Sequence, residues 1–123
     1  MDPHAHEPVA KPQPAYETKD GSRIRELWHP DHCGDGAMSL AEATVDAGTT
    51  TQLHRHLLSE EFYHIVSGVG VMERGPERFA IEAGDTVRIP AGVAHRVAAS
   101  TTTALVILCC CTPPYRHDDT QVL

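Results

Sequence analysis

The sequence predicts an all-β fold, either a sandwich or a barrel. From residue 23 onward, short segments rich in valine, isoleucine, threonine and aromatic residues alternate with turn signals such as "DAGT", "SGVG", "RGPE", "EAGD" and "PAG". No window has apolar residues at a sustained helical spacing. Many short strands with frequent turns and no helical pattern are typical of two-sheet β proteins.

The expected strands fill the middle of the chain. In chain order they span residues 23–29, 37–45, 52–56, 61–67, 69–74, 78–82, 86–89, 95–98 and 104–111. We assign residues 23–112 to one barrel domain. Residues 1–22, rich in proline and poor in large apolar side chains, are expected to form a flexible arm. Residues 113–123 are expected to form an extended tail, because Pro113 and Pro114 cannot donate hydrogen bonds to a sheet.

The composition limits the partners that we expect. With 123 residues, 41% apolar and 22% charged, the chain suits one globular domain with a modest core. Its net charge of −7 disfavours nucleic acid and anionic membranes, because both bind basic patches. No apolar run has the length of a membrane span, and the first residues lack the apolar stretch of a secretory signal. We therefore expect a soluble, cytoplasmic protein with no nucleic-acid or membrane partner.

The four cysteines are expected to be reduced thiols, which agrees with a cytoplasmic location. Cys109, Cys110 and Cys111 are consecutive, and neighbours along a strand point to opposite faces, so they are poorly placed to bridge one another. Either Cys110 or the pair Cys109 and Cys111 faces the interior. The inward thiols then serve as small apolar side chains or lie close to a reactive centre.

One expected strand carries side chains that are costly to bury without a partner. His54 and His56 share one face if residues 52–56 form a strand, and two imidazoles at that spacing can bind one ion. Glu60 or Glu61 follows after a loop, and His95 is a further candidate after the "PAG" turn. The alternative is a solvated strand face without a metal. The residue pattern alone does not decide between these two hypotheses.

We predict no metal site at the other two histidine clusters. His4 and His6 repeat the His-x-His spacing in the proline-rich arm, where no scaffold holds their geometry. His29, His32 and Cys33 lie together in "HPDHCGDG", but further soft ligands at suitable spacing are missing for a structural zinc site.

Around the candidate metal ligands the chain resembles the cupin family. The segment "GTTTQLHRHLLSEEFYHIVSG" (residues 48–68) contains the glycines, histidines and glutamate of the first cupin motif, and "GDTVRIPAGVAH" (residues 84–95) contains the second motif. The resemblance covers roughly residues 24–112. One departure is Ala99, where the family often has asparagine at a position that is not a metal ligand. The resemblance implies a jelly-roll barrel, the double-stranded β-helix of cupins, with a metal ion at one end.

The resemblance also implies which residues hold this ion. They are His54, His56, Glu61 and His95, so the family pattern selects Glu61 over Glu60. Three imidazoles and one carboxylate leave one or two positions of a five- or six-coordinate ion open to a substrate or O₂. The set suits one divalent transition metal, and Fe, Mn, Ni, Co, Cu and Zn are all candidates.

Strand alternation extends the site into a pocket. We expect its lining to include Gln52, Tyr63, Ile65, Val97 and Cys110. Tyr63 is the candidate catalytic residue, because its hydroxyl can bind a ligand or act as an acid; the alternative is a core aromatic side chain. Three tail residues either close the mouth of the barrel or remain solvated: Tyr115, Arg116 and His117.

The opposite face of the same strand carries Phe62, His64 and Val66. A solvated face does not need two large apolar side chains, so we expect a homodimer interface or a covering N-terminal strand there. His64 is then an interface or surface histidine rather than a metal ligand.

Three functions fit these observations. The first is a mononuclear metal enzyme that acts on a small organic molecule, with oxygenase-type chemistry favoured. The second is a metal-dependent isomerase or lyase, and the third is a non-catalytic cupin that binds a small ligand. The fold alone does not choose among them, because it hosts many unrelated activities.

Overall fold

The computed structural model describes residues 9–123, and within them the protein is built almost entirely of strands. The elements, in chain order, are β1 (Tyr16–Glu17), β2 (Arg23–Trp28), α1 (Pro30–Cys33), β3 (Ser39–Val45), β4 (His54–His56), β5 (Glu60–Ser67), β6 (Val69–Arg74), β7 (Glu77–Glu82), β8 (Thr86–Ile89), β9 (His95–Ala99), β10 (Leu105–Thr112), a 3₁₀ turn (His117–Asp119) and β11 (Thr120–Val122). No helix in this part of the chain is long and apolar enough to cross a membrane.

The strands form two antiparallel sheets that enclose the core. The first sheet has the order β1-β2-β3-β10-β5-β8, and the second has the order β11-β4-β9-β6-β7. The jelly-roll barrel predicted from the sequence is therefore confirmed. The ends of the expected strands differ from the observed ends by at most two residues.

Side-chain alternation explains where the core lies. Along β10 every second residue is buried, and along β5 the inward residues Glu61, Tyr63 and Ile65 alternate with exposed neighbours. The fully buried side chains from both sheets form the interior: Ile65, Met72, Ile89, Leu105, Ile107 and His95. A histidine in this set is unusual, because an imidazole is costly to bury without partners.

The sheets extend beyond the predicted barrel boundaries at both ends of the chain. β1 lies inside the segment predicted to be a flexible arm, and its Tyr16 pairs with Ile24 of β2. β11 lies inside the predicted tail, and its Thr120 pairs with His56 of β4. Both strands are too short to show an alternating pattern in the sequence. The first eight residues of the arm lie outside the described residues.

The helix α1 was not expected from the sequence either. It is a single turn, too short for a helical period, and His29 caps its N-terminus by accepting a hydrogen bond from the Asp31 amide at 3.1 Å. Pro30 stands in the first turn, where the missing amide hydrogen costs nothing.

Two glycines of the motif segments differ in the space around them. Gly68, between β5 and β6, has φ +89°, and a Cβ atom there would overlap the carbonyl oxygen of Ala104. Gly84 has φ +95°, but nothing lies within 4 Å of the position of its Cβ. Both adopt a left-handed backbone that favours glycine, and only Gly68 also lacks room.

We predict that Gly68→Ala destabilises the protein more than Gly84→Ala. Gly84→Ala should cost about 1–2 kcal/mol of backbone strain. Gly68→Ala should cost about 1–3 kcal/mol beyond that, because β10 must move. Urea unfolding of both variants measures the difference, and equal losses would contradict the close approach at Ala104.

Candidate metal centre

Four buried side chains converge at one end of the barrel. His54 and His56 come from β4, Glu61 from β5 and His95 from β9. One donor atom from each lies within 4.8 Å of the donor atoms of the other three. The structure therefore brings together the four residues predicted as metal ligands. Two of the imidazoles come from one strand, and the third imidazole and the carboxylate each come from a strand of their own.

The pairing of strands explains this convergence. His54 and His56 are both buried, whereas Arg55 between them points away. β4 pairs with β9 so that His54 stands opposite His95. The carbonyl oxygen of His56 accepts a hydrogen bond from the Gly92 amide at 2.7 Å, which ties the "PAG" turn before β9 to the same strand.

Backbone carbonyls orient two of the three imidazoles. The Nδ1 atom of His54 lies 2.8 Å from the carbonyl oxygen of Gln52, and the Nδ1 atom of His95 lies 3.0 Å from that of Val93. A carbonyl oxygen can only accept a hydrogen bond, so both Nδ1 atoms carry a proton. In the neutral rings the Nε2 lone pairs are then free and face the cluster. This arrangement is typical of metal-binding histidines.

Thr120 orients the third imidazole. Its hydroxyl donates to the carbonyl oxygen of Arg116 at 2.9 Å, so its oxygen must accept from Nδ1 of His56 at 3.0 Å. The Nε2 atom of His56 therefore faces the same space as the other two. Thr120 belongs to β11, so the tail contributes to the site although the motifs of the sequence do not include it.

The inward donor atoms fit a bound cation. Nε2 of His56 and Nε2 of His95 lie 3.1 and 3.4 Å from Oε1 of Glu61. Nε2 of His54 lies 3.5 Å from Oδ2 of Asp20, and Nε2 of His95 is buried without a hydrogen-bond partner. Lone pairs that face one another in a buried site repel, unless a proton or a metal ion lies between them.

The ionisation of the cluster follows from the same contacts. Burial alone would raise the pKa of Glu61, but the hydrogen bond from His56 and the nearby imidazole of His95 outweigh it and hold the pKa well below its usual value. Burial alone would lower the pKa of His56, yet Glu61 raises it overall. Burial and the neighbouring His95 lower the pKa of His54. One proton shared by His56 and Glu61 thus satisfies the pair without a metal, and metal binding releases it.

One cysteine of the run forms a hydrogen bond with the Glu61 carboxylate. The Cys111 thiol donates to Oε2 of Glu61 at 3.2 Å, which leaves Oε1 directed at the histidines. Burial and the charge of Glu61 raise the pKa values of Cys111 and Cys109, so both remain thiols. The prediction that Cys110 lines the pocket is wrong. Cys110 points outward to Met38, because β10 pairs Cys111 with Glu61 and alternation turns Cys110 away.

The other predicted pocket residues divide into three groups. Tyr63 lines the cavity beside the cluster, and its ring lies edge-on to His95 at 5.7 Å. Ile65 and Val97 are buried in the core and do not line the cavity. The prediction for Gln52 is wrong: its side chain is exposed, because β4 begins at His54 and strand alternation does not reach Gln52.

Sequence reasoning did not place Asp20 or Thr120 at this cavity and left Tyr115 either at the mouth of the barrel or in a solvated tail; the structure shows that each of them lines the cavity. The space between the cavity walls, including its open mouth, is about 610 Å³. The Tyr115 ring lies edge-on to His56 at 5.6 Å, whereas Arg116 and His117 are exposed. "TKDGS" and the tail carry turn signals, but nothing in their spacing indicates that they reach the site.

The remaining histidines lie elsewhere. His29 caps α1, and His32 lies 3.4 Å from Glu26. His64 is exposed and lies 2.8 Å from the Thr86 hydroxyl on the outer face. The second His-x-His pair, at residues 4 and 6, lies outside the described residues.

The structure is a two-sheet barrel in which three imidazoles and a carboxylate, buried at one end, could hold a metal ion. This arrangement places the protein in the class of barrels with a candidate metal site. Comparison with known proteins gives the family. A family model of the cupin domain matches residues 41–111, and the chain belongs to the cupin family. An uncharacterised protein of Methanocaldococcus jannaschii is 47% identical over 108 residues, which are 88% of this chain and 86% of that protein.

Solved structures show the same fold at low identity. Pac13, described as a unique nucleoside dehydratase, is 18% identical with a TM-score of 0.74, over 97% of this chain and 90% of that one; it comes from Streptomyces. Oxalate decarboxylase of Bacillus subtilis, described with Mn(II) centres, is 21% identical with a TM-score of 0.77. The match covers 90% of this chain and 30% of that enzyme. At such identities the likeness shows the fold alone.

The hydrogen bond from His56 to Thr120 gives a test of the centre. We predict that Thr120→Val weakens Co(II) binding about tenfold, because His56 loses the acceptor that fixes its tautomer. Thr120→Ser keeps the hydroxyl and should bind as the wild type does. Titration against a competing chelator measures the affinities, and circular dichroism checks that both variants are folded. Equal affinity of the valine variant would show that Thr120 does not orient His56.

Proposed function

We propose that the protein is a mononuclear divalent-metal enzyme that acts on a small organic molecule, with oxygenase-type chemistry favoured. One observation carries this proposal: the buried Nε2 atoms of His54, His56 and His95 and one oxygen of Glu61 face a common space, and Nε2 of His95 has no hydrogen-bond partner. A buried polar atom without a partner is costly, and a metal ion removes that cost.

The four residues would hold the ion and leave one or two coordination positions for ligands. When bound, a redox-active ion supplies oxygen chemistry, and a redox-inert ion polarises a substrate. The side chains of the four residues are buried, so the barrel shields their donor atoms from bulk water, and the cavity beside them opens to solvent at its mouth. We expect Fe, Mn, Ni, Co, Cu or Zn, because these ions bind imidazole and carboxylate together.

Tyr63 is the proposed catalytic side chain. Burial and the charge of Glu61 raise its pKa well above the usual value, so its hydroxyl stays protonated and serves as a hydrogen-bond donor. Once a substrate is known, Tyr63→Phe should lower kcat without loss of metal. A variant with unchanged kcat would leave Tyr63 as a core aromatic.

A metal-dependent isomerase or lyase is the second candidate. The protonated hydroxyl of Tyr63 beside the cluster supports it, because a hydrogen bond from this hydroxyl would help to orient a substrate that the ion polarises. Pac13, which shares the fold, is described as a nucleoside dehydratase. A non-catalytic protein that binds a small ligand through the same ion is the remaining alternative.

Metal content tests the proposal most directly. We predict about one equivalent of metal in protein purified without chelators, measured by elemental analysis. His95→Ala should lose the metal and the thermal stabilisation that it provides. His64→Ala is the matched control, since His64 is an exposed histidine on the outer face of β5 and its loss should leave the metal bound.

The identity of the metal then separates the candidate reactions. A redox-active metal together with O₂ uptake on a panel of small substrates, absent in His95→Ala, would support the oxygenase. Zinc without O₂ uptake would favour the isomerase or lyase. If the wild type contains no metal and takes none up on reconstitution, the proposed metal centre is wrong.

We also propose a homodimer through the outer face of the first sheet. Phe62 and Leu40 are each 37% exposed and flank Cys110 across paired strands, so they form an apolar surface. Phe62→Glu should yield a monomer in analytical ultracentrifugation. Leu58→Glu, an exposed apolar residue in the β4–β5 loop, should remain dimeric. A wild-type mass of 13.4 kDa would contradict the dimer.

A cytoplasmic location is the last part of the proposal. All four cysteines are free, and Cys111 must be a reduced thiol to donate to Glu61. A reducing compartment preserves this contact. Fractionation of cells that express the protein tests the location, and recovery from an oxidising compartment would contradict it.

A further inference from the structure

Asp20 adds a second carboxylate to the centre. It lies in the turn between β1 and β2, its side chain is 13% exposed, and its Oδ2 is 3.5 Å from Nε2 of His54. Nδ1 of His54 donates to the Gln52 carbonyl, so in the neutral ring Nε2 has no proton to share with Asp20. Asp20 lies outside the group of four whose donor atoms are all within 4.8 Å of one another. Its position is at the rim of the cluster rather than within it.

The turn holds Asp20 in a single orientation. Oδ1 accepts hydrogen bonds from the Thr18 hydroxyl at 2.6 Å, the Ser22 amide at 2.9 Å and the Ser22 hydroxyl at 2.6 Å. The Asp20 carbonyl oxygen accepts from the Gln52 amide at 2.8 Å, which attaches the turn to the chain just before β4. No residue in 9–123 donates to Oδ2, so this fixed oxygen is available to a ligand in the cavity.

The cavity wall is negatively charged. Asp20, Glu26 and Glu61 line it, and within the described residues no lysine or arginine does. His29 also lines it, but its Nδ1 accepts from the Asp31 amide and its Nε2 donates to a backbone carbonyl. His29 therefore offers no positive charge. A divalent ion held by the three imidazoles and Glu61 would attract an anionic ligand, and the Asp20 carboxylate beside it would weaken that attraction, because no lysine or arginine among the described residues lines the wall to offset its charge.

We propose that Asp20 is the specificity-determining residue of the metal centre. Its free oxygen accepts a hydrogen bond from a hydroxyl or amine group of the substrate, and its charge disfavours carboxylates and phosphates. The substrate class is then a neutral or cationic small molecule that carries such a donor. This inference rests on the proposed metal centre and names the substrate class of that same site.

The test compares an anionic with a neutral probe. Wild type, Asp20→Asn and Glu26→Gln are loaded with Cu(II), and azide or imidazole is titrated at pH 8 while the visible absorption of the metal is recorded. Asp20→Asn keeps an oxygen for the Thr18 and Ser22 donors and removes the charge. Glu26→Gln is the matched control, because the Glu26 oxygens lie against Tyr16 and His32 instead of the histidine cluster.

We expect Asp20→Asn to bind azide about tenfold more tightly than the wild type, because a nearby like charge is removed. Imidazole binding should not tighten, and Glu26→Gln should change azide affinity by less than about twofold, because the Glu26 oxygens lie against Tyr16 and His32 and not beside the histidine cluster. If all three proteins hold Cu(II) and bind azide equally, the inference is wrong while the metal centre stands.

Two further outcomes would overturn the role of Asp20 or the metal centre itself. Loss of Cu(II) from Asp20→Asn alone would make Asp20 a metal ligand and overturn its role as a selector of substrates. If none of the three proteins takes up Cu(II), Co(II) or Mn(II), the proposed metal centre itself fails. The two proposals are therefore distinguished by metal content, which is measured before any probe is added.

Discussion

Repulsion among buried lone pairs is the constraint on which the candidate site depends. Three imidazoles use their Nδ1 hydrogens on fixed acceptors, so their Nε2 atoms face Glu61 and one another. The donor side chains are buried at this end of the barrel, and unpaired acceptors in a region of low polarity are costly. A cation at the centre converts that cost into binding energy. The same contacts draw β4, β5 and β9 together, so the site and the packing of the two sheets are coupled.

Both ends of the chain complete the site. The turn after β1 contributes Asp20, and β11 contributes Thr120, although the barrel motifs include neither segment. Lys19 joins the two segments, because its ammonium group donates to the carbonyl oxygens of His117 at 2.7 Å and Thr120 at 3.2 Å. The mouth of the cavity is thereby built from segments that are far apart in sequence and held by backbone hydrogen bonds. Connecting segments of this kind carry binding residues more often than a packed core does.

Alternation along strands was a reliable guide only where the strand was long. β5 and β10 each run for eight residues, and their inward residues follow from the pattern once one position is known. β4 has three residues, so extending its alternation back to Gln52 failed. In the cysteine run, the alternating pattern is equally compatible with Cys110 or with its two neighbours facing inward. Only the register with β5 placed Cys111 beside Glu61 and turned Cys110 outward. β1 and β11 were too short to leave a pattern at all.

The sequence by itself determined the all-β class, the strand positions and the four candidate ligands, because periodicity is local and the motif resemblance supplied the long-range link. The tertiary structure alone decided which other groups contact and orient those residues. Three contacts join segments that are distant in the chain: Thr120 with His56, Cys111 with Glu61, and Asp20 with His54. Register and turn geometry set such contacts, and no local pattern encodes them. They establish which nitrogen faces the centre and which charge a ligand meets.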